Sequence, residues 1–179
     1  MTGDEVEVRR VRPDEIDRVS ELSVAAYTLQ YAGLPADYVA SIGDVAPRAR
    51  DHEVWVAVDR STREILGTVT TPRAGENLSE LGRVDELDFR LLAVGPAGRG
   101  RGIGALLTTH VIELARQRGL RRVVLNSGPM MLPAHRLYER LGFERMPERQ
   151  TLLDDGRPLY AYGLDVGPDV GPGASSGAS

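Results

Sequence analysis

The sequence predicts one α/β domain built on a mixed sheet, and three observations carry that prediction. First, 179 residues suit a single domain with a real core. Second, Val54–Val58 and Glu64–Thr70 are apolar, β-branched runs separated by the turn Asp59-Arg60-Ser61-Thr62, which reads as a hairpin. Third, Leu91-Leu92-Ala93-Val94 leads through a glycine-rich turn into a helical stripe and then into Arg122-Val123-Val124-Leu125. Strand, turn, helix, strand is a βαβ unit, so this strand pair is parallel with a right-handed crossover.

The elements follow in order. Val6–Val11 alternates apolar and polar as a strand. Pro13-Asp14-Glu15 starts a helix, with proline and acids in its first turn, and Ile16, Val19, Leu22, Ser23 and Ala26 keep its stripe. A second short helix is expected from about Pro35 to Ile42. Tyr27, Tyr31 and Tyr38 surround the loop between them, either lining an acceptor pocket or closing the edge of the core. After the hairpin, Arg73 to Arg83 is a polar loop. Val84 to Val94 reads as one long strand, with Leu87, Phe89 and Leu91 on one face and Glu86, Asp88 and Arg90 on the other. The period breaks at Leu91-Leu92, which predicts a β-bulge. Ile103, Leu106, Leu107, Val111, Leu114 and Ala115 form the next helix, ended by Gly119, with His110 as a packing residue. Pro133-Ala134 opens a last helix, stopped by Gly142. Phe143–Met146 and Leu159–Leu164 are the final strands, around a turn at Asp154-Asp155-Gly156. Gly167–Ser179 has almost no apolar bulk and is expected to be a disordered tail, leaving a domain over residues 1–166.

Composition narrows the function. The net charge of −4 gives no bulk basic field for nucleic acid. Without cysteine there is no disulfide, thiolate metal site or cysteine nucleophile, and His52, His110 and His135 have no metal-ligand spacing. No signal core or membrane-length apolar run is visible, so a cytoplasmic protein with no membrane partner is expected.

Chemistry concentrates in the turn before the long helix. Gly98, Gly100, Gly102 and Gly104 alternate with Arg99, Arg101 and Ile103. Glycine allows the sharp turn and a close approach of another molecule. Unpaired amides of the helix start, with two arginines beside them, make a site for a phosphate or pyrophosphate. Gly100-Arg101-Gly102-Ile103-Gly104-Ala105 also satisfies the Gly-x-Gly-x-x-Ala pattern of a Rossmann dinucleotide site, but Leu125 and Asn126 stand where the ribose-binding acid belongs. No lysine follows the glycines as a phosphate-loop NTPase requires.

Arg99, Gly102 and Gly104 match the Arg/Gln-x-x-Gly-x-Gly/Ala loop of the GNAT N-acetyltransferases, and the chain resembles that family a second time downstream. Asn126, followed by Ala134-His135-Arg136-Leu137-Tyr138-Glu139-Arg140-Leu141-Gly142-Phe143, is similar to its Asn…Ala-x-x-Leu-Tyr-Glu-x-x-Gly-Phe signature. The resemblance implies a mixed, mostly antiparallel sheet of about six to seven strands, helices on both faces and a splayed parallel pair. It implies transfer of the acetyl group of acetyl-CoA to an amine by direct attack in a ternary complex. Leu92, Ala93 and Val94 would lie along the pantetheine arm, and a backbone N–H there would polarise the thioester carbonyl. Arg99 to Gly104, with Gly100, Arg101 and Ile103 included, would hold the pyrophosphate, and Asn126 would complete the cofactor site. Tyr138 would be the general acid for the departing thiolate. Glu86 or Asp88 would be the base, directly or through water. An acetyl-CoA-binding module without catalysis is the other reading of the same motifs. The acceptor and any homodimer are left open.

Overall fold

A computed structural model describes residues 4–167. The expected tail therefore lies, except for Gly167, outside the described residues. Nine strands and five helices follow one another as β1 (Val6–Arg10), α1 (Ile16–Gln30), α2 (Ala36–Gly43), α3 (Val45–Asp51), β2 (Glu53–Asp59), β3 (Ile65–Thr71), β4 (Glu86–Asp88), β5 (Arg90–Val94), α4 (Ile103–Gln117), β6 (Arg122–Ser127), α5 (Leu132–Arg140), β7 (Glu144–Arg145), β8 (Thr151–Leu152) and β9 (Pro158–Asp165).

The long strand expected over Val84–Val94 is two strands, because its halves serve different sheets. β5 closes the sheet β1-β2-β3-β5, in which every pair is antiparallel, while β4 belongs to the sheet β4-β6-β9-β7. β4 and β6 form the parallel pair, with Asp88 opposite Val124. The two halves part at Phe89, whose amide still donates to the Val124 carbonyl at 3.3 Å.

The expected bulge is present. Thr68 faces Ala93 and Thr70 faces Arg90, so β5 carries one residue more than β3 between them. Leu91 absorbs the irregularity with φ of +55°, a left-handed conformation that a leucine adopts only under constraint.

The main core lies between the sheets and α4 and α5, with Leu87, Phe89, Ile103, Leu107, Val111, Leu125, Tyr138, Phe143 and Tyr162 at its centre. A second layer under α1 and α3 buries Val19, Val45, Val54 and Val56. The helix α3 was not legible in the sequence, being only seven residues with Pro47 in its first turn. β8 is a two-residue strand and was missed for the same reason, its shortness. His110 packs, as expected, its ring 4.3 Å from that of Trp55.

Candidate active site

Where β4 gives way to β5, the two arms of the structure separate. β5 hydrogen-bonds only to β3, and β6 continues past Val124 with β9 as its partner. From Arg90 to Val94 on one arm, and at Asn126 and Ser127 on the other, the facing edges have no partner strand among the described residues. Such an edge presents backbone N–H and C=O groups to whatever enters the gap. Leu92 and Val94 are half-buried and packed on the main core, while Ala93 is buried against Tyr27 and Ile42. Asn126 is exposed on the opposite arm.

The gap ends at the glycine turn. The Gly95 amide donates to the Leu66 carbonyl at 2.9 Å, and the turn continues through the short 3-10 segment Pro96–Gly98. A Cβ built on Gly98 would stand 2.6 Å from the Leu66 carbonyl oxygen, so only glycine lets the turn fold this closely onto β3. Gly102 caps α4 with φ of +71° and no side-chain hydrogen bond. A Cβ there would meet nothing within 4 Å, so the space beside the cap is open. The amides of Gly100, Gly102, Ile103 and Gly104 donate to no backbone carbonyl. They are the unpaired donors of a helix start, aimed outward and backed by its partial positive charge. The Ile103 side chain is buried and fixes the helix start in the core.

The two arginines part company. Arg99 is exposed and enters no ion pair among the described residues. Arg101 instead holds Asp59 at 3.0 Å, tying the turn to the β2–β3 hairpin. Arg101 thus already has a carboxylate partner, while Arg99 has none among the described residues. That partner is also the acceptor for Ser61 and Thr62 donors in the hairpin turn, and those bonds, with Arg101, hold its carboxyl far below the usual range.

Tyr138 lies on α5 among Phe89, Phe143 and Tyr162, with ring centroids 6.0, 5.7 and 6.0 Å away. Burial pushes its hydroxyl well up from the ordinary value, and no hydrogen bond contributes. A core tyrosine kept only for packing would ordinarily pair that hydroxyl.

Glu86 and Asp88 are covered rather than solvated. They are 2% and 1% exposed. The loop before β4 and the 3-10 turn Pro147–Arg149 fold over the strand and supply donors to both carboxylates. Arg149 grips Glu86 bidentately, 2.7 Å to each oxygen, and the Arg83 amide adds a bond at 3.2 Å. Burial pushes this carboxyl up, but Arg149, the Arg83 amide and Arg122 outweigh burial and bring it below the ordinary value. Asp88 accepts the amides of Leu78 and Ser79 at 2.9 and 2.8 Å and the Ser79 hydroxyl at 2.9 Å. Both carboxylates are thus enclosed and hydrogen-bonded.

Several participants had no signal in the sequence. Arg149 and Ser79 are remote from β4 and sit in loops. The one available hint was general: a strand covered on both faces cannot leave carboxylates solvated, so each needs a partner somewhere.

The Acetyltransferase (GNAT) family model matches residues 16–143. Glucosamine 6-phosphate N-acetyltransferase of Trypanosoma brucei brucei is 29% identical over 144 residues, 79% of this chain and 91% of that protein. N-acetylaspartate synthetase of Danio rerio is 35% identical over 97 residues, 54% of this chain but 31% of that protein. Among solved structures, the paiA N-acetyltransferase of Thermoplasma acidophilum in complex with coenzyme A superposes with a TM-score of 0.69 at 13% identity, over 89% of this chain and 98% of that one. The yncA protein of Salmonella typhimurium, solved with its cofactor acetyl-CoA, gives 0.64 at 18% identity, over 95% and 99%. The structural likenesses show the fold, and the family match spans both signatures. This chain belongs to the GNAT acetyltransferase family and is an acetyl-CoA-dependent N-acetyltransferase.

Proposed function

We propose that acetyl-CoA lies in the gap between β5 and β6 and that the acceptor amine attacks its thioester there. The observation that carries this reading is the strand splay ending at unpaired amides. The pyrophosphate would sit on the amides of Gly100 to Gly104, with Arg99 as the free cation. The pantetheine amides would pair with the bare edge of β5 at Leu92 to Val94, and Asn126 would close the cleft from β6. A β5 amide would donate to the thioester oxygen as charge develops on it.

The chemistry balances without a carboxylate base. Attack forms the C–N bond, and collapse of the intermediate breaks C–S. The nitrogen loses one proton and the departing thiolate gains one. Tyr138 is the proposed acid partner of the sulfur. Its raised pKa keeps the hydroxyl protonated at neutral pH. The same shift makes full transfer to a thiolate uphill, since a thiol ionises near 8.5. Tyr138 would therefore donate a hydrogen bond to the sulfur as C–S lengthens, and water at the open mouth would carry the proton between nitrogen and sulfur.

The proposed catalytic unit is residues 1–166, and the cytoplasm is its proposed compartment. Thiol release measured with acetyl-CoA and a panel of small amines, amino acids and peptides tests the reading. Amine-dependent release supports it. Tight acetyl-CoA binding with no release from any amine favours the binding-module alternative.

A further inference from the structure

We propose that the acceptor carries an anionic group, a carboxylate or a phosphate, and that Arg90 seats it. This inference rests on the reading of the splayed cleft as the site of transfer.

Register places Arg90 at the first residue of β5, beside the point where the splay opens. Thr68 and Thr70 point to one face of β3, and their partners across the bulge are Ala93 and Arg90. Ala93 packs with Ala26, Tyr27 and Ile42, so this is the face under α1 and α2. Arg90 therefore rises on the side where Tyr27, Tyr31 and Tyr38 meet, at the point where β5 leaves β4. Its charge is felt by the hydroxyls of Tyr27 and Tyr38 and by Arg48 of α3. Arg90 is exposed, and no carboxylate pairs with it among the described residues.

The surrounding charges do not cancel it. Arg48 is a second cation, but its guanidinium is occupied by the Ser41 and Ile42 carbonyls at 2.5 and 2.6 Å. Asp44 is the acid beside Arg48. Asp88, two residues before Arg90, is enclosed and bonded to Leu78 and Ser79. Neither Asp44 nor Asp88 forms an ion pair with Arg90 among the described residues, so its guanidinium keeps its donors free. Arg90 is then an exposed cation on the tyrosine side of β5 with no carboxylate partner among the described residues, and a planar guanidinium suits a carboxylate or phosphate.

The test uses matched acceptors: glucosamine against glucosamine 6-phosphate, and L-alaninamide against L-alanine. kcat/KM is measured by thiol release for wild type, Arg90→Gln and Arg90→Lys. A charge-assisted contact of this kind is worth roughly ten- to a hundredfold. Wild type should prefer an anionic member by about that factor, and which pair shows it tells phosphate from carboxylate. Arg90→Gln should erase the preference through KM while leaving acetyl-CoA affinity unchanged, and Arg90→Lys should restore part of it. Equal use of both members of each pair, or a preference that survives Arg90→Gln, would overturn the proposal. If no amine turns over, calorimetry on the coenzyme A complex still decides. Equal binding within both pairs, glucosamine against its 6-phosphate and L-alaninamide against L-alanine, would overturn the role of Arg90, whereas the absent turnover would count against the transfer reading alone.

Discussion

Replacing Tyr138 by phenylalanine separates packing from chemistry. The three ring contacts, at 5.7 to 6.0 Å, survive the change. No hydrogen bond is lost, because the hydroxyl makes none among the described residues. Stability should therefore change by under about 0.5 kcal/mol, far from the range of about 3–5 kcal/mol expected for losing the whole aromatic side chain. Turnover should respond differently. Hydrogen bonding to the departing sulfur exists only as C–S breaks, so its loss falls on kcat and not on acetyl-CoA affinity. General acid assistance is typically worth roughly a hundredfold or more. A donor that stops short of full transfer should still give at least about tenfold, or about 1.4 kcal/mol. The assay is thiol release at saturating acetyl-CoA and acceptor, with a rapid-quench control showing that chemistry limits turnover. The burial-raised pKa adds a pH criterion: kcat should show no alkaline loss from this group below about pH 10. A Tyr138→Phe enzyme with wild-type kcat in the chemistry-limited regime would refute the reasoning and leave Tyr138 a packing residue.

Glu86→Gln should cost about 3–5 kcal/mol by leaving Arg149 unpaired in an enclosed site, read as a large fall in Tm, and should leave the acidic limb of kcat/KM in place. Because the folded pKa of Glu86 is lowered, its stabilisation is present at neutral pH and is lost on acidification below about 4.3. His110 and His135 act in a higher window: burial lowers both, so the folded state gives up protons that the unfolded state keeps, and stability should fall as pH drops below about 6.5. His110 Nε2 is buried with no partner among the described residues, so His110→Gln should flatten part of that fall in Tm measured between about pH 8 and 5.5. Arg99→Ala should weaken acetyl-CoA binding severalfold in calorimetry, whereas Arg101→Ala should leave affinity nearly unchanged and cost under about 1 kcal/mol of stability through loss of the Asp59 pair.

What the sequence made legible follows from the range of the forces involved. The strand–helix–strand order around α4, the hairpin, the bulge at Leu91-Leu92 and the glycine turn are all written in local periodicity and turn chemistry, although the parallel partner of β6 is β4 and not the expected Leu91–Val94. Each is decided within a dozen residues. The splitting of Val84–Val94 between two sheets is not local: it depends on where β3 and β6 lie, which no pattern within the strand records. The fate of the carboxylates is the clearest case. Alternation grouped Glu86, Asp88 and Arg90, but could not say that a loop would bury the first two and that the third would start a strand of the other sheet, exposed. Arg149 reaches Glu86 from 63 positions away, and Asp59 reaches Arg101 from 42. Charged residues paired at such separations have no sequence period, so their roles as anchors emerge only when the chain is folded.

The central claim is that acetyl-CoA occupies the splay with its pyrophosphate on the α4 turn. Amide chemical shifts during a titration with coenzyme A test it most directly, since the proposed contacts are largely to backbone N–H groups. The largest changes should fall on Gly100, Gly102, Ile103 and Gly104 and along Leu92 to Val94, with NAD producing none of them at the same concentration. Changes centred elsewhere, or equal changes with NAD at the turn and none along β5, would contradict it.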